Sequence, residues 1–171
     1  PESEIAAVNM ALGASFSGAK ALIGTSGGGF ALMSEALSLA GVAELPLVVY
    51  LAQRTAPSTG VPTYTAQGDL KFALNAGQGE FPRIVSAPGD PQEAVIRTQE
   101  AFYLSCKYRT PAIILGDKHL AESNYTFDQL KKSQLAFRQK PVFRANSYEH
   151  RLDGHTPAAP QWIVKMNNRR L

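Results

Sequence analysis

Leu45-Pro46-Leu47-Val48-Val49-Tyr50-Leu51-Ala52 is a continuous apolar run, and Gln53 and Arg54 close it ahead of Pro57-Ser58-Thr59-Gly60-Val61-Pro62-Thr63. A run without polar alternation reads as a strand buried on both faces, the habit of parallel strands covered by helices on each side. In open α/β sheets, ligands gather where such strands end, so Arg54 is expected at a ligand crevice. Its planar fork suits a carboxylate or phosphate, and two prolines stiffen a loop rich in hydroxyls and backbone N–H groups. The arrangement reads as a site for a small anion.

The pattern extends in both directions. Ser3 to Gly18 is dense in alanine and apolar residues and reads as a buried helix with an N-terminal cap. Ala21 to Gly24 reads as a short strand, and Gly27-Gly28-Gly29 opens a helix over Phe30 to Ala40 that Gly41 closes. After the loop, Gly68 to Asn75 is expected as a short helix and Gly77 to Pro82 as a turn. Arg83 to Ala87 then reads as a strand, Pro91 to Tyr108 as an amphipathic helix, and Ala112 to Leu115 as a strand ending at Asp117. Strands alternating with helices imply an α/β fold, a doubly wound parallel sheet with helices on both faces. Beyond Ser123 the periodicity fades into a polar, basic stretch, with a helix expected at Phe127 to Phe137 and a strand at Pro141 to Ala145. Residues 1–123 are therefore expected to form the domain, and 124–171 a linker or connecting arm toward a following domain.

Composition bounds the rest. With 171 residues, 44% of them hydrophobic, the chain suits one α/β domain plus a short extra segment. The net charge of +3 comes from basic residues concentrated toward the C-terminal end. These are scattered among acids and carry no recognisable reading motif, which argues against nucleic acid as a partner. A single cysteine, Cys106, excludes an internal disulfide and cannot by itself hold an iron–sulfur cluster or a thiolate zinc site. A reducing, cytoplasmic setting is expected, and no span reaches the length of a membrane helix. The sequence begins at Pro1 and enters a helical pattern almost at once, as a piece of a longer polypeptide would.

Several motifs carry competing readings. Gly24-Thr25-Ser26-Gly27-Gly28 fits the G-x-S-x-G nucleophile elbow at a strand-to-helix turn, and Asp117 followed by His150 or His155 keeps the order of an α/β serine hydrolase. However, no earlier strand and glycine loop is present to complete an oxyanion hole. The plainer reading is a tight turn whose three glycines let backbone approach a ligand. The turn also lacks a Walker Lys-Ser/Thr and the G-x-G-x-x-G spacing, although a noncatalytic flavodoxin-like nucleotide-binding module remains a rival. Glu4 sits in the first turn of the alanine-rich helix, where complementing the helix dipole is its bland role. Its neighbours Ile5, Ala6, Ala7 and Val8 are apolar, and a carboxyl in such surroundings could share a proton with a ligand nitrogen. Asp117-Lys118-His119 reads as a strand-end surface triplet. Asp90-Pro91-Gln92-Glu93 reads as an N-cap, a proline at the first helical position and a capping-box glutamate.

Together these segments resemble a known family. Glu2-Ser3-Glu4-Ile5-Ala6-Ala7-Val8-Asn9-Met10-Ala11-Leu12-Gly13-Ala14-Ser15 and Gly24-Thr25-Ser26-Gly27-Gly28-Gly29-Phe30-Ala31-Leu32-Met33 are similar to the α subunit of 2-oxoacid:ferredoxin oxidoreductases. Gln53-Arg54 with Pro57 to Thr63, Gln67-Gly68-Asp69-Leu70, and Gly79 to Val85 with Ala87 to Pro91 keep the family's order and spacing. Ala145 to His150 resembles the connector that follows the domain.

The resemblance implies the pyrimidine-binding fold of a thiamine diphosphate enzyme. The complex it implies oxidatively decarboxylates a 2-oxoacid, passing the acyl unit to coenzyme A and electrons to ferredoxin. Glu4 matches the glutamate that contacts the aminopyrimidine nitrogen and promotes loss of the thiazolium proton, which makes it the implied catalytic residue. Arg54 and Thr63 fall at the substrate-carboxylate positions, with Ser58 and Thr59 as further candidates. Thr25, Ser26, Gly27, Gly28 and Gly29 fall where the domain approaches the cofactor. The diphosphate with its magnesium, and the iron–sulfur cluster, are implied on a partner β subunit, with no metal held by this chain. A Tyr-Pro-Ile-Thr-Pro segment usual in the family ahead of the Glu4 helix is not in this sequence. Thr55-Ala56 also replaces a glycine-containing pair.

Overall fold

The computed structural model describes residues 1–131, 133–135 and 160–170. Four parallel strands, β1 (Leu22–Ser26), β2 (Leu47–Gln53), β3 (Ile84–Ser86) and β4 (Pro111–Asp117), form one sheet in the order β1-β2-β4-β3. The helices are α1 (Glu4–Phe16), α2 (Gly27–Leu32), α3 (Ser34–Val42), α4 (Leu70–Asn75), α5 (Pro91–Tyr108), α6 (Lys118–Glu122) and α7 (Pro160–Arg170).

The apolar run of β2 has two faces because successive side chains of a strand point opposite ways. Leu47, Val49 and Leu51 join Ile113 and Leu115 of β4 in a core closed by Val8 and Leu12 of α1, Phe30 of α2, Leu37 of α3 and Ala73 of α4. Val48 joins Ala112 and Ile114 against Ala101 of α5 on the other face. Each fully buried Val, Leu or Ile contributes about 1.5–3 kcal/mol. The strand order explains the two layers. The chain steps from β1 to β2, crosses beyond β4 to β3, and returns to β4 through α5. A right-handed return in the reverse direction puts its helix on the opposite face. The doubly wound expectation is met.

Local chemistry fixes the ends of these elements. Asp90 accepts from the Glu93 N–H at 2.7 Å, Pro91 opens α5, and the Glu93 carboxylate accepts from the Gly89 N–H at 2.8 Å. The capping reading holds, with Glu93 reaching the residue just before the cap. Arg109, in the left-handed region at φ 52°, ends α5, and buried Ser105 accepts from the Leu47 N–H while donating to the Thr110 carbonyl. These bonds fix α5 against the entry of β2.

Four expectations need correction. The glycine cluster forms the first turn of α2 and does not precede a longer helix. The helix expected over Phe30–Ala40 is two, interrupted at buried Met33, which ends α2 and precedes α3 at a φ of −90° and a ψ of −3°. Gly41 lies inside α3 and does not cap it: a Cβ there would stand 2.5 Å from the Phe81 ring, so it is a packing glycine. The left-handed residue after α3 is Glu44. Finally, residues 127–131 and 133–135 are not helical. This part of the arm bonds back to the domain instead, the Ser133 N–H donating to Gln99 on α5. The strand expected at Pro141–Ala145 lies outside the described residues, and α7 was not anticipated. Among the described residues no helix is long and apolar enough to cross a membrane.

Candidate functional site

Parallel strands with helical returns bring one end of every strand to the same edge of the sheet. Ser26 pairs with Ala52, and Gln53 pairs with Asp117, so β1, β2 and β4 all finish there. Because α1 runs back against β1, its first turn meets the turn that follows β1. The result joins residues far apart in sequence. A Cβ on Gly29 would stand 2.1 Å from Thr25 Oγ1 and 2.8 Å from both Cγ and Oε1 of Glu4. Glu4 and Thr25 therefore occupy the space a side chain at position 29 would need.

The Glu4 carboxyl is half-buried and makes no hydrogen bond or ion pair with another described residue. Its sequence neighbours do not enclose it, since Ile5 is 53% exposed and Ala6 is exposed as well. Of the apolar neighbours, Ile5 and Ala6 turn outward while Val8, one helical turn on, is buried in the core, and what lies against the carboxyl is the glycine turn. The three glycines have different reasons. Gly29 makes room for Glu4 and Thr25, and Gly27 makes room for Asp69, whose Oδ2 would lie 3.1 Å from a Cβ at that position. Only Gly28 faces open space, with nothing within 4 Å of a Cβ built on it. Of the three, Gly28 alone leaves its backbone open to approach from outside.

Arg54 stands one residue past the end of β2. It is half-buried, and its guanidinium makes no ion pair or hydrogen bond with a described residue. Its backbone forms an isolated antiparallel bridge to Thr65, which closes residues 55–64 into a loop. Ser58, Thr59 and Thr63 all lie exposed on that loop. Gly60 holds it tight at φ +54°, and a Cβ there would stand 2.0 Å from the Thr55 carbonyl. Further bonds pin the loop's return along the same edge. Thr65 Oγ1 accepts from the His119 N–H at 3.3 Å, and Gln67 donates to Asp117 at 2.8 Å.

Asp117 is a structural group, as its surface reading anticipated. It caps α6 by accepting from the Leu120 N–H at 2.7 Å, and that bond first, then the Gln67 amide and nearby His119, hold its carboxyl below the usual range. The hydrolase triad is not assembled among the described residues. The Ser26 hydroxyl makes no hydrogen bond there, the ring of His119 faces Ser123 at 3.3 Å, and His150 and His155 lie outside the described residues.

Two residues at this edge were not singled out from sequence as site residues. Asp69 is 9% exposed and Gln53 5%. The Asp69 N–H donates to Gln53 Oε1 at 3.0 Å, yet the Asp69 carboxyl neither caps α4 nor bonds another described residue. Burial pushes that carboxyl up from its ordinary value. In sequence Asp69 falls within the short helix expected over Gly68 to Asn75, and nothing there signalled an unpartnered buried acid. Among the described residues no group of three or more His, Cys, Asp or Glu side chains is placed to hold a metal ion.

The chain is similar to known proteins over most of its length. The family model described as pyruvate flavodoxin/ferredoxin oxidoreductase, thiamine diphosphate-binding, matches residues 1–168. The chain is 45% identical to a 2-oxoacid:ferredoxin oxidoreductase subunit alpha of Saccharolobus solfataricus, over 97% of this chain and 28% of that protein. It is 40% identical to the 2-oxoglutarate synthase subunit KorA of Archaeoglobus fulgidus, over 71% of this chain and 36% of that one. Among solved structures, the 2-oxoglutarate:ferredoxin oxidoreductase of Magnetococcus marinus, with 2-oxoglutarate, coenzyme A and succinyl-CoA bound, superposes with a TM-score of 0.83 at 32% identity. That match covers 99% of this chain and 35% of the other. The chain thus spans about a third of the length of these relatives or less.

Proposed function

The chain belongs to the pyruvate flavodoxin/ferredoxin oxidoreductase family, in its thiamine diphosphate-binding domain, and from that premise we propose that it works within a 2-oxoacid:ferredoxin oxidoreductase. The complex would decarboxylate a 2-oxoacid oxidatively, transfer the acyl unit to coenzyme A and pass electrons to ferredoxin. The observation that carries this reading is Glu4, a carboxyl free of partners among the described residues and seated against Gly29 beside the open face of Gly28. A flat heteroaromatic ring fits such a place, because Gly28 lets it meet backbone closely while Glu4 offers an acid to a ring nitrogen.

Bound thiamine diphosphate supplies the electron sink that 2-oxoacid decarboxylation requires. Glu4 holds the proton at the aminopyrimidine nitrogen, the general acid–base role in this chemistry. Gly28 and the neighbouring Thr25 and Ser26 form the wall the ring meets. Arg54, without a partner among the described residues at the end of β2, binds the substrate carboxylate through charge-assisted hydrogen bonds, and Thr63 with Ser58 and Thr59 closes over it from the loop. The diphosphate, its magnesium and the iron–sulfur cluster belong to a partner β subunit, and the chain divides into a domain at 1–123 and a connecting arm at 124–171.

Two substitutions in the complete complex test the assignment. Glu4→Gln lowers kcat by about 100-fold or more, the usual reach of a positioned acid–base group, at unchanged Tm. Arg54→Ala raises KM for the 2-oxoacid and lowers kcat/KM while the fold is kept. Ferredoxin reduction measured across a range of 2-oxoacids reads both, and wild-type turnover by Glu4→Gln would remove the proposal.

A further inference from the structure

Asp69 meets the glycine turn as Glu4 does, at the turn's other end. Glu4 lies against Gly29 and Asp69 against Gly27, with Gly28 open between them. The two carboxyls differ in environment. Glu4 is half-buried, whereas Asp69 is 9% exposed and bonds no other described residue through its side chain. Its backbone is fixed, because its N–H is held by Gln53, the residue next to Arg54.

A buried carboxyl without donors costs stability, since it gives up water and gains no hydrogen bond. An amide or apolar group of similar size would fill the same space at less cost. The packing of α4 against the turn therefore does not account for an acid at this position. Buried acids that stability does not explain gather at functional sites. In a site poor in water a fixed charge also acts over a longer range than in solvent.

We propose that Asp69 is a second, electrostatic determinant of the cofactor site, a positioning residue that holds negative charge against the glycine turn and so favours a cationic heterocycle bound at Gly28. The inference rests on the proposed thiamine diphosphate reading, whose thiazolium is such a cation. Asp69 acts through the turn and the field it sets up there, without being required to touch the ligand.

The test compares two ligands on the complete complex: thiamine diphosphate, and its analogue in which an uncharged ring of the same shape replaces the thiazolium. Asp69→Asn keeps the size of the side chain and removes its charge. The expected result is a Tm equal to or above wild type, about tenfold weaker binding of thiamine diphosphate by calorimetry, and unchanged binding of the uncharged analogue. Asp69→Glu, which restores the charge, is expected to recover part of the lost affinity. Equal affinity of wild type and Asp69→Asn for thiamine diphosphate would overturn the inference. So would equal weakening toward both ligands, or failure of the Asn variant to fold, since each would assign Asp69 a role in holding the turn together and none in favouring a cationic ligand. A wild-type complex that binds neither ligand would sink the functional reading itself, a separate outcome.

Discussion

A glycine that makes room for its own protein and a glycine that makes room for a ligand respond differently to one added methyl. At position 29, alanine would drive its Cβ into Thr25 Oγ1 and Glu4. Gly29→Ala is therefore expected to displace Glu4 and lower both Tm and turnover. At position 28 the space is open, and within the first turn of α2 alanine is the better helix former by up to about 1 kcal/mol. Gly28→Ala should keep or raise Tm while weakening thiamine diphosphate about tenfold, because the methyl stands where the ring would lie. Thermal unfolding with and without cofactor separates the two, and equal effects at both positions would contradict the division of roles. Asp69→Asn adds a signature in pH. Burial raises the folded-state pKa of Asp69, so between the unfolded and folded pKa values the native state binds more protons, and stability falls as pH rises through that window. The Tm advantage of the Asn variant should be absent at pH below the carboxylate range and appear above it.

The elements divide into those readable from local pattern and those set by contact. The strands β2 and β4 and the helix α5 were legible because their signals are local: unbroken apolar runs, and Asp90-Pro91 with Glu93 at the head of a helix. The break at Met33 was not, because apolar residues continue across it and no glycine or proline marks the place. Of the proposed site, Glu4, Arg54 and the glycine turn were singled out from their own residues and again through resemblance, Arg54 by its place after a buried strand. Asp69 was hidden because its significance depends on a capping bond that is not made. Gly41 shows how contact replaces local logic. Read as a helix stop, it lies instead within α3 under Phe81, whose ring also carries the Arg83 guanidinium 4.2 Å from its centroid. Gly41→Ala would force a methyl against that ring, and such overpacking costs about 1–3 kcal/mol. Position 41 is at the far end of α3 from the glycine turn, so chemical denaturation should report the loss while the cofactor affinity of the folded protein stays at the wild-type level.

At the scale of the whole molecule, the groups assigned to chemistry lie along one edge of a four-stranded sheet, and they are the groups a heterocycle and a carboxylate need. Glu4, Gly28 and Arg54 supply an acid, an open backbone face and a cation, while the described residues place no metal-binding cluster beside them. A diphosphate with its divalent cation carries much of the binding free energy of such a cofactor, through charge-assisted bonds and metal coordination. A chain that meets only the ring should hold the cofactor weakly. Isothermal titration of this chain alone with thiamine diphosphate and magnesium is expected to give a Kd in the millimolar range or weaker, about −4 kcal/mol or less favourable. Adding the β subunit should bring the affinity to micromolar or tighter, a gain of about 4 kcal/mol or more. The heat of binding should then depend on magnesium only when the partner is present. Micromolar binding by the chain alone would mean that the diphosphate is held here, and the division of the site between two subunits would have to be abandoned.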